Sequence, residues 1–328
     1  MEFYSHIKPY LDEIERKMES ELGKEDERVY GLLVPFLRRG GKRIRPVMAL
    51  LCCGASGGSY ESVMEPAMII ELFHNFTLIH DDIEDDSQFR RGEPTLHVKC
   101  GVPMALNSGD ALYTFLWRKI VTLPMRPNKL LRLQDLYSGA FKRVVDGQGI
   151  ELSWIKNGRF DISEDEYLVM IGGKTSALMG LSCEVGGFVA GAGKRQRKAL
   201  RDYGEMLGEA FQIHDDVLNV SGSFEKYQKE IGGDISEGKR TLMVVHALRH
   251  GTPEDRQRLT SILASHSKKE EDIKEAIVIL QKYGSVDYAR KKAEKLVAQA
   301  KKRVEKLSPS KDRDALLSIA DYVVSRER

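Results

Sequence analysis

Apolar residues along this chain recur mostly at spacings of three and four, as in Leu72, Phe73, Phe76, Ile79 and Ile83, and again in Leu200, Tyr203, Leu207, Phe211, Ile213 and Val217. That spacing lines them along one face of a helix, and the alternation that marks a strand is hard to find. Prolines and glycines punctuate segments of helix length, predicted here at 5–22, 26–38, 44–55, 63–86, 103–122, 129–155, 164–191, 194–221, 236–250 and 288–306. The pattern predicts an all-α fold of ten or more helices. No Ser/Gly-rich or Pro-rich linker divides the 328 residues, so 1–328 reads as a single domain. The lysine-rich stretch 267 to 303 reads as the solvated faces of amphipathic helices.

Composition excludes several function classes. Lysine plus arginine number 51 against 49 aspartate plus glutamate, which gives no whole-molecule pull towards nucleic acid or an anionic membrane. The most apolar run, "VMALLCCGA" at 47 to 55, is about half of what a membrane-spanning helix needs, so no membrane anchor is expected. Cys52, Cys53, Cys100 and Cys183 show no CxxC or Cys/His spacing, and no signal peptide is read ahead of them. Reduced thiols in a cytoplasm are the expectation.

Any electrostatic function is therefore local, and two stretches concentrate it. "LIHDDIEDDSQFRRGEP" at 78 to 94 crowds carboxylates together, and "IHDDVLNV" at 213 to 220 repeats its opening. On a helix, Asp81 and Asp85 share a face with Asp82 and Asp86 on the neighbouring stripe, and like charges at that spacing repel. Asp215 and Asp216 repeat the arrangement, with Asn219 one turn on. Oxygen-only ligands with no cysteine nearby suit Mg²⁺ bridging carboxylates to phosphate. A single DDxxD also reads as a solvated helix end, whereas two, both ending apolar helices, favour the metal.

Basic residues accompany them. "GGKRIRP" at 40 to 46 joins a glycine pair to Lys42, Arg43 and Arg45, and Arg90 with Arg91 follows the first acidic cluster. Such arginines are suited to phosphate or to plain surface charge. "GGKTSAL" at 172 to 178 is not a P-loop, because Leu168 stands where the first glycine belongs. Lys174, Lys229 and Lys239 stay candidates for phosphate contacts on glycine-flanked segments.

Taken together, "GGKRIRP", "ELFHNFTLIHDDIEDDSQFRRGEPTLH", "GDAL", "GQGIEL", "GKTSAL", "FQIHDDVLN" and "GGDISEGKRTL", in that order over residues 40 to 242, resemble the trans-isoprenyl diphosphate synthases. The resemblance implies an isoprenoid synthase type I fold, a helical bundle around a central cavity. It also implies the condensation of isopentenyl diphosphate with an allylic diphosphate, by pyrophosphate loss, attack on the carbocation and proton loss. Asp81, Asp82 and Asp85 match the first aspartate-rich motif, and Asp215 with Asp216 the second, which in the family hold three Mg²⁺ on the allylic diphosphate. Arg90, Lys174, Lys229 and Lys239 match allylic-diphosphate ligands, and Lys42, Arg45, His74 and Arg91 match the isopentenyl diphosphate site. Thr175 and Gln212 match groups that steady the cation. A homodimer is likewise implied by the family.

The chain departs from the family pattern in places. Asn219 replaces the last aspartate of the second motif and Ser223 stands where Asp is usual, so weaker metal support is expected there. "DDIED" lacks the two extra residues of bacterial farnesyl-type members, which makes the chain resemble archaeal or eukaryotic ones. Phe76, five residues before Asp81, with the small Thr77 beside it and Phe73 one turn back, is similar to archaeal geranylgeranyl diphosphate synthases. These three are the expected floor for the growing tail; a C20 product is predicted, with C15 and C25 as alternatives. Two readings of another class stay open at this point, a phosphohydrolase using His80–Asp81 and His214–Asp215 and a helical partner subunit without turnover; a terpene cyclase is set aside, because "DDVLNVSGSFE" does not reproduce the Asn, Ser/Thr and Glu order of its second motif.

Overall fold

The computed structural model describes residues 2–221 and 232–325 and is helical almost throughout. Its chain divides into two compact units, one made of residues 1–138, 181–201 and 307–316, the other of 139–180, 202–306 and 317–328.

In the first unit the Tyr60–Glu84 helix packs against Lys8–Leu22, Ile44–Ala55 and Val102–Val121. Ile44–Ala55 is apolar nearly all round, with Val47 through Cys53 at 0 % exposure, as befits a helix covered on every side. Its start is set by Arg43, held in the left-handed region at φ 46°. The Arg43 guanidinium is buried, donating to Glu15 at 2.6 Å, Glu71 at 2.8 Å and the Leu37 carbonyl at 2.8 Å. This corrects the reading of Arg43 as a phosphate donor, since its donors are committed to internal acceptors.

In the second unit the part of the Pro127–Lys156 helix that belongs to it runs against the Gly172–Ser176 segment, main chain to main chain. A Cβ on Gly147 would stand 2.2 Å from the Lys174 nitrogen, and one on Gly173 would stand 2.6 Å from the Arg143 carbonyl oxygen. Both glycines are required by that approach. The predicted helix 164–191 is accordingly three pieces. Glu164–Ile171 opens on a Ser163–Glu166 capping box, Gly172–Ser176 is a π-helical turn, and Ala177–Val189 follows.

Other predicted boundaries move for local reasons. The 26–38 segment splits into Glu27–Tyr30 and Leu33–Arg38. The predicted 236–250 helix begins only at Leu242, capped by Thr241, and a separate short helix, Gly233–Ser236, precedes it with Gly238 at φ 69° between the two. Pro253–Ala264 and Lys311–Ser325 are helices that the periodicity did not single out, although Thr252, with Pro253 behind it, is a start signal of the usual kind. A two-residue antiparallel hairpin pairs Phe89–Arg90 with Glu93–Pro94. Among the described residues no helix is long and apolar enough to cross a membrane.

Because two backbones meet at Gly147, a methyl group there has no space to enter. Gly147→Ala is expected to destabilise the protein by about 1–3 kcal/mol, the range for overpacking a filled interior, read as a lowered urea midpoint at unchanged slope.

Candidate active site

The first acidic motif occupies the last turn of Tyr60–Glu84 and the residues just past it. Asp81 is half-buried, Asp82 is 1 % exposed, and Asp85 caps the helix with its N–H on the Asp81 carbonyl at 2.9 Å. The helix stops at Glu84, short of the predicted end, and Asp86 turns left-handed at φ 49°. Carboxylates therefore gather at the negative end of a helix dipole, which is unfavourable until cations join them. The hairpin returns one such cation, and Arg90 Nε pairs with Asp82 Oδ1. The other oxygen, Oδ2, is buried with no hydrogen-bond partner. Burial pushes the Asp82 carboxyl above its ordinary value, against the pull of Arg90.

A basic cluster forms around Glu71. Burial pulls Arg45 down to about 10, opposed by Glu71 and helped by Arg91. Arg91 is lowered the same way, by burial and by Arg43, Arg90 and Arg39, while Glu71 holds it up. Its guanidinium lies over Gly41, where a Cβ would come within 2.8 Å of Nη2, so the missing side chain of Gly41 is what admits it. Half-buried His74 is kept neutral, well below the usual histidine range, first by burial and then by Arg45, Arg91, Arg90 and Arg43. Arg45, His74 and Arg91 thus lie near one another, with Lys42 exposed beside Gly41.

Phe73 and Phe76 lie in contact, ring centres 5.5 Å apart, and Phe76 also meets His80 at 4.7 Å and Tyr113 at 4.9 Å. Thr77 turns its hydroxyl back to the His74 carbonyl at 2.8 Å. Tyr113, with Trp117 next to it, continues the aromatic wall from the Val102–Val121 helix. A separate groove of about 720 Å³ in this unit is lined by Lys17, Glu61, Glu65 and Leu123 among others. None of the predicted site residues borders it.

In the second unit, Asp216 is 6 % exposed and receives Gln212 Nε2 at 2.9 Å and the Tyr167 hydroxyl at 3.0 Å. Thr175 Oγ1 donates to Gln212 Oε1 at 2.8 Å, so Thr175, Gln212, Asp216 and Tyr167 form one chain of bonds. Burial, then Asp234 and Asp215, raise the Asp216 carboxyl well above its ordinary value. Asn219 has its side-chain oxygen on the Asp234 N–H at 3.2 Å. Lys174 pairs with buried Glu151, and Lys239 pairs with Glu237 and approaches Asp234 at 3.5 Å. Burial pushes Glu151 up, but Lys174 and Lys239 outweigh it and hold the carboxyl below the usual glutamate range. Lys229 and Ser223 lie outside the described residues.

Among the described residues no three His, Cys, Asp or Glu side chains stand close enough together to hold a metal ion as they are placed. The donor chemistry nevertheless fits a hard divalent cation. Asp82 has a buried oxygen with no protein partner, Asp216 is crowded by Asp215 and Asp234, and every candidate ligand is a carboxylate.

The family model for polyprenyl synthetase matches residues 26–280. The chain belongs to the polyprenyl synthetase family. It is 42 % identical to the short chain isoprenyl diphosphate synthase of Methanothermobacter thermautotrophicus, over 89 % of this chain and 88 % of that one. It superposes on the crystal structure of geranylgeranyl pyrophosphate synthetase from Pyrococcus horikoshii with TM-score 0.93 at 36 % identity, covering 99 % and 98 % of the two chains. Polyprenyl synthase from Caulobacter crescentus, solved in complex with calcium and isoprenyl diphosphate, matches with TM-score 0.90 at 26 % identity over 99 % and 97 %. The all-α expectation holds, and this polyprenyl synthetase is a prenyltransferase. The phosphohydrolase reading falls with that match.

Several polar residues of this polyprenyl synthetase were not singled out from sequence. Glu71 anchors the basic cluster, Glu151 carries two lysines, and Tyr167 and Asp234 border Asp216. "GQGIEL" held the only advance signal of Glu151. The depressed carboxyl of Glu151 stabilises the folded state while ionised, and that contribution disappears as the pH falls through its folded value. The urea-midpoint gap between the wild type and Glu151→Gln is therefore expected to be full at neutral pH and to narrow below about pH 4, the ordinary glutamate range.

Proposed function

We propose that this prenyltransferase joins isopentenyl diphosphate to dimethylallyl, geranyl and farnesyl diphosphates in turn and releases geranylgeranyl diphosphate. The observation that carries the reading is the family match over residues 26–280. The Phe73–Phe76–Tyr113 wall on the helix that bears the first acidic motif supports a short product. So does the likeness to a protein named geranylgeranyl pyrophosphate synthetase.

In this reading Asp81, Asp82, Asp85, Asp215 and Asp216 are the residues that hold Mg²⁺, three ions in all. When bound there, the ions neutralise the charge that builds on the departing pyrophosphate. Lys174, Lys229, Lys239 and Arg90 bind the allylic diphosphate, and Glu151 supports two of those lysines, holding the Lys174 ammonium group by a hydrogen bond and acting on Lys239 through its charge. Lys42, Arg45 and Arg91 bind isopentenyl diphosphate, with His74 giving a neutral N–H donor. Thr175, its proton on Gln212, presents hydroxyl lone pairs suited to steadying a cation. Phe76, Phe73 and Thr77 stop the tail. Asn219, whose oxygen is engaged by a backbone N–H, takes a supporting part beside the metal ligands.

We place the whole chain in the same reading as one functional domain, homodimeric and cytoplasmic. Its free cysteines support the reducing location.

Incubation with isopentenyl diphosphate, Mg²⁺ and C5, C10 or C15 primers is expected to give C20 product from each, and none in EDTA. Failure with every primer would sink the reading. Phe76→Ala is expected to lengthen the product by one or more isoprene units on chromatography, because a helical turn of about 5.4 Å spans roughly one unit. Unchanged length would move the floor elsewhere.

A further inference from the structure

The Leu33–Arg38 helix is followed by a second arginine, and the two behave differently. Arg38 reaches outward to Glu19 at 2.8 Å. Arg39 turns inward. Its side chain is 4 % exposed, and its guanidinium carbon lies 5.1 Å from the centre of the Phe36 ring. Its Nε and Nη1 are both buried without a hydrogen-bond acceptor.

The chain offers Arg39 little compensation. Glu93 Oε2 stands 3.7 Å from Nε, beyond hydrogen-bond range, on a side chain that is 54 % exposed and already receives Lys99 at 2.9 Å. Glu71 is taken by Arg43 at 2.8 Å and by Asn75 at 3.3 Å. A buried cation with unmet donors weakens a fold unless an anion completes it.

The surroundings point the same way. Arg39 lies near enough to act electrostatically on Arg91 and on Asp82. Gly41, two residues along, is pressed against the Arg91 guanidinium. Arg45 Nε is a further buried donor without an acceptor. Two guanidinium groups with unmet donors, Arg39 and Arg45, with that of Arg91 beside them, fit an anion of several charges and many oxygens, which a diphosphate is.

We propose that Arg39 is an additional binding residue for the diphosphate held by Lys42, Arg45, His74 and Arg91, donating its unmet N–H groups to that ligand's oxygens. The proposal rests on the substrate reading given above.

A structural arginine and a ligand-binding one respond oppositely to truncation. Arg39→Met removes a buried charge that the ligand-free protein does not satisfy, so its melting temperature is expected to equal or exceed that of the wild type. Its affinity for inorganic pyrophosphate, measured calorimetrically in EDTA so that the aspartates repel the ligand, is expected to fall roughly ten-fold, the loss of one charge-assisted hydrogen bond. KM for isopentenyl diphosphate should rise by about the same factor, while KM for the allylic diphosphate stays within about two-fold. A lowered melting temperature with pyrophosphate affinity and KM unchanged would overturn the proposal and leave Arg39 as packing for Phe36. Should Arg39→Met fail to fold, Arg39→Lys carries the test: weakened pyrophosphate binding supports the proposal and unchanged binding overturns it. A wild type that makes no prenyl product, yet loses pyrophosphate affinity on Arg39→Met, would sink the prenyl-transfer reading and keep the anion site.

Discussion

The buried pair between Arg43 and Glu71 governs the first unit. Both side chains are nearly inaccessible, and such a pair is stable only when its remaining donors and acceptors are met. Glu15, the Leu37 carbonyl and Asn75 meet them. The pair ties the start of Ile44–Ala55 to the middle of Tyr60–Glu84 and leaves a carboxylate inside a ring of arginines. Glu71 offsets part of their repulsion without cancelling it. Burial first and then the residual positive field keep His74 neutral, and that field favours an anion.

The second unit reaches a comparable state by another route. Asp216 is fixed from two sides by neutral donors, Gln212 and Tyr167, so its direction is set while its charge is left for a cation. Glu151 does the reverse for Lys174, giving a lysine a fixed counter-charge at a buried position. Preorganisation of this kind means that little rearrangement is needed when charge develops on a ligand.

Much of this was legible in the sequence, for a definable reason. Asp81, Asp82 and Asp85, like Lys42 and Arg45, sit within one or two helical turns of one another, and local spacing is what a sequence displays directly. Helix type was legible because apolar periodicity is local too. Arg43 was misread because its acceptors, Glu15 and Glu71, lie 28 residues away on either side. Tyr167 and Asp216 are 49 apart, and Glu151 and Lys174 are 23 apart, on different elements, so nothing in the string joins them. The break at Gly172–Ser176 was hidden for a related reason: its cause is a neighbouring backbone, and a glycine's lack of side chain says only that something comes close.

That close approach has an evolutionary side. Where Gly147 meets the Lys174 nitrogen, the spacing between two helices is set by main-chain atoms alone, with no rotamer to adjust and no methyl group to trade. A seam of that sort resists gradual drift, because every available replacement is larger. Variation in what such a protein accepts then has more room in side chains elsewhere than in the main chain that places Lys174 and Thr175.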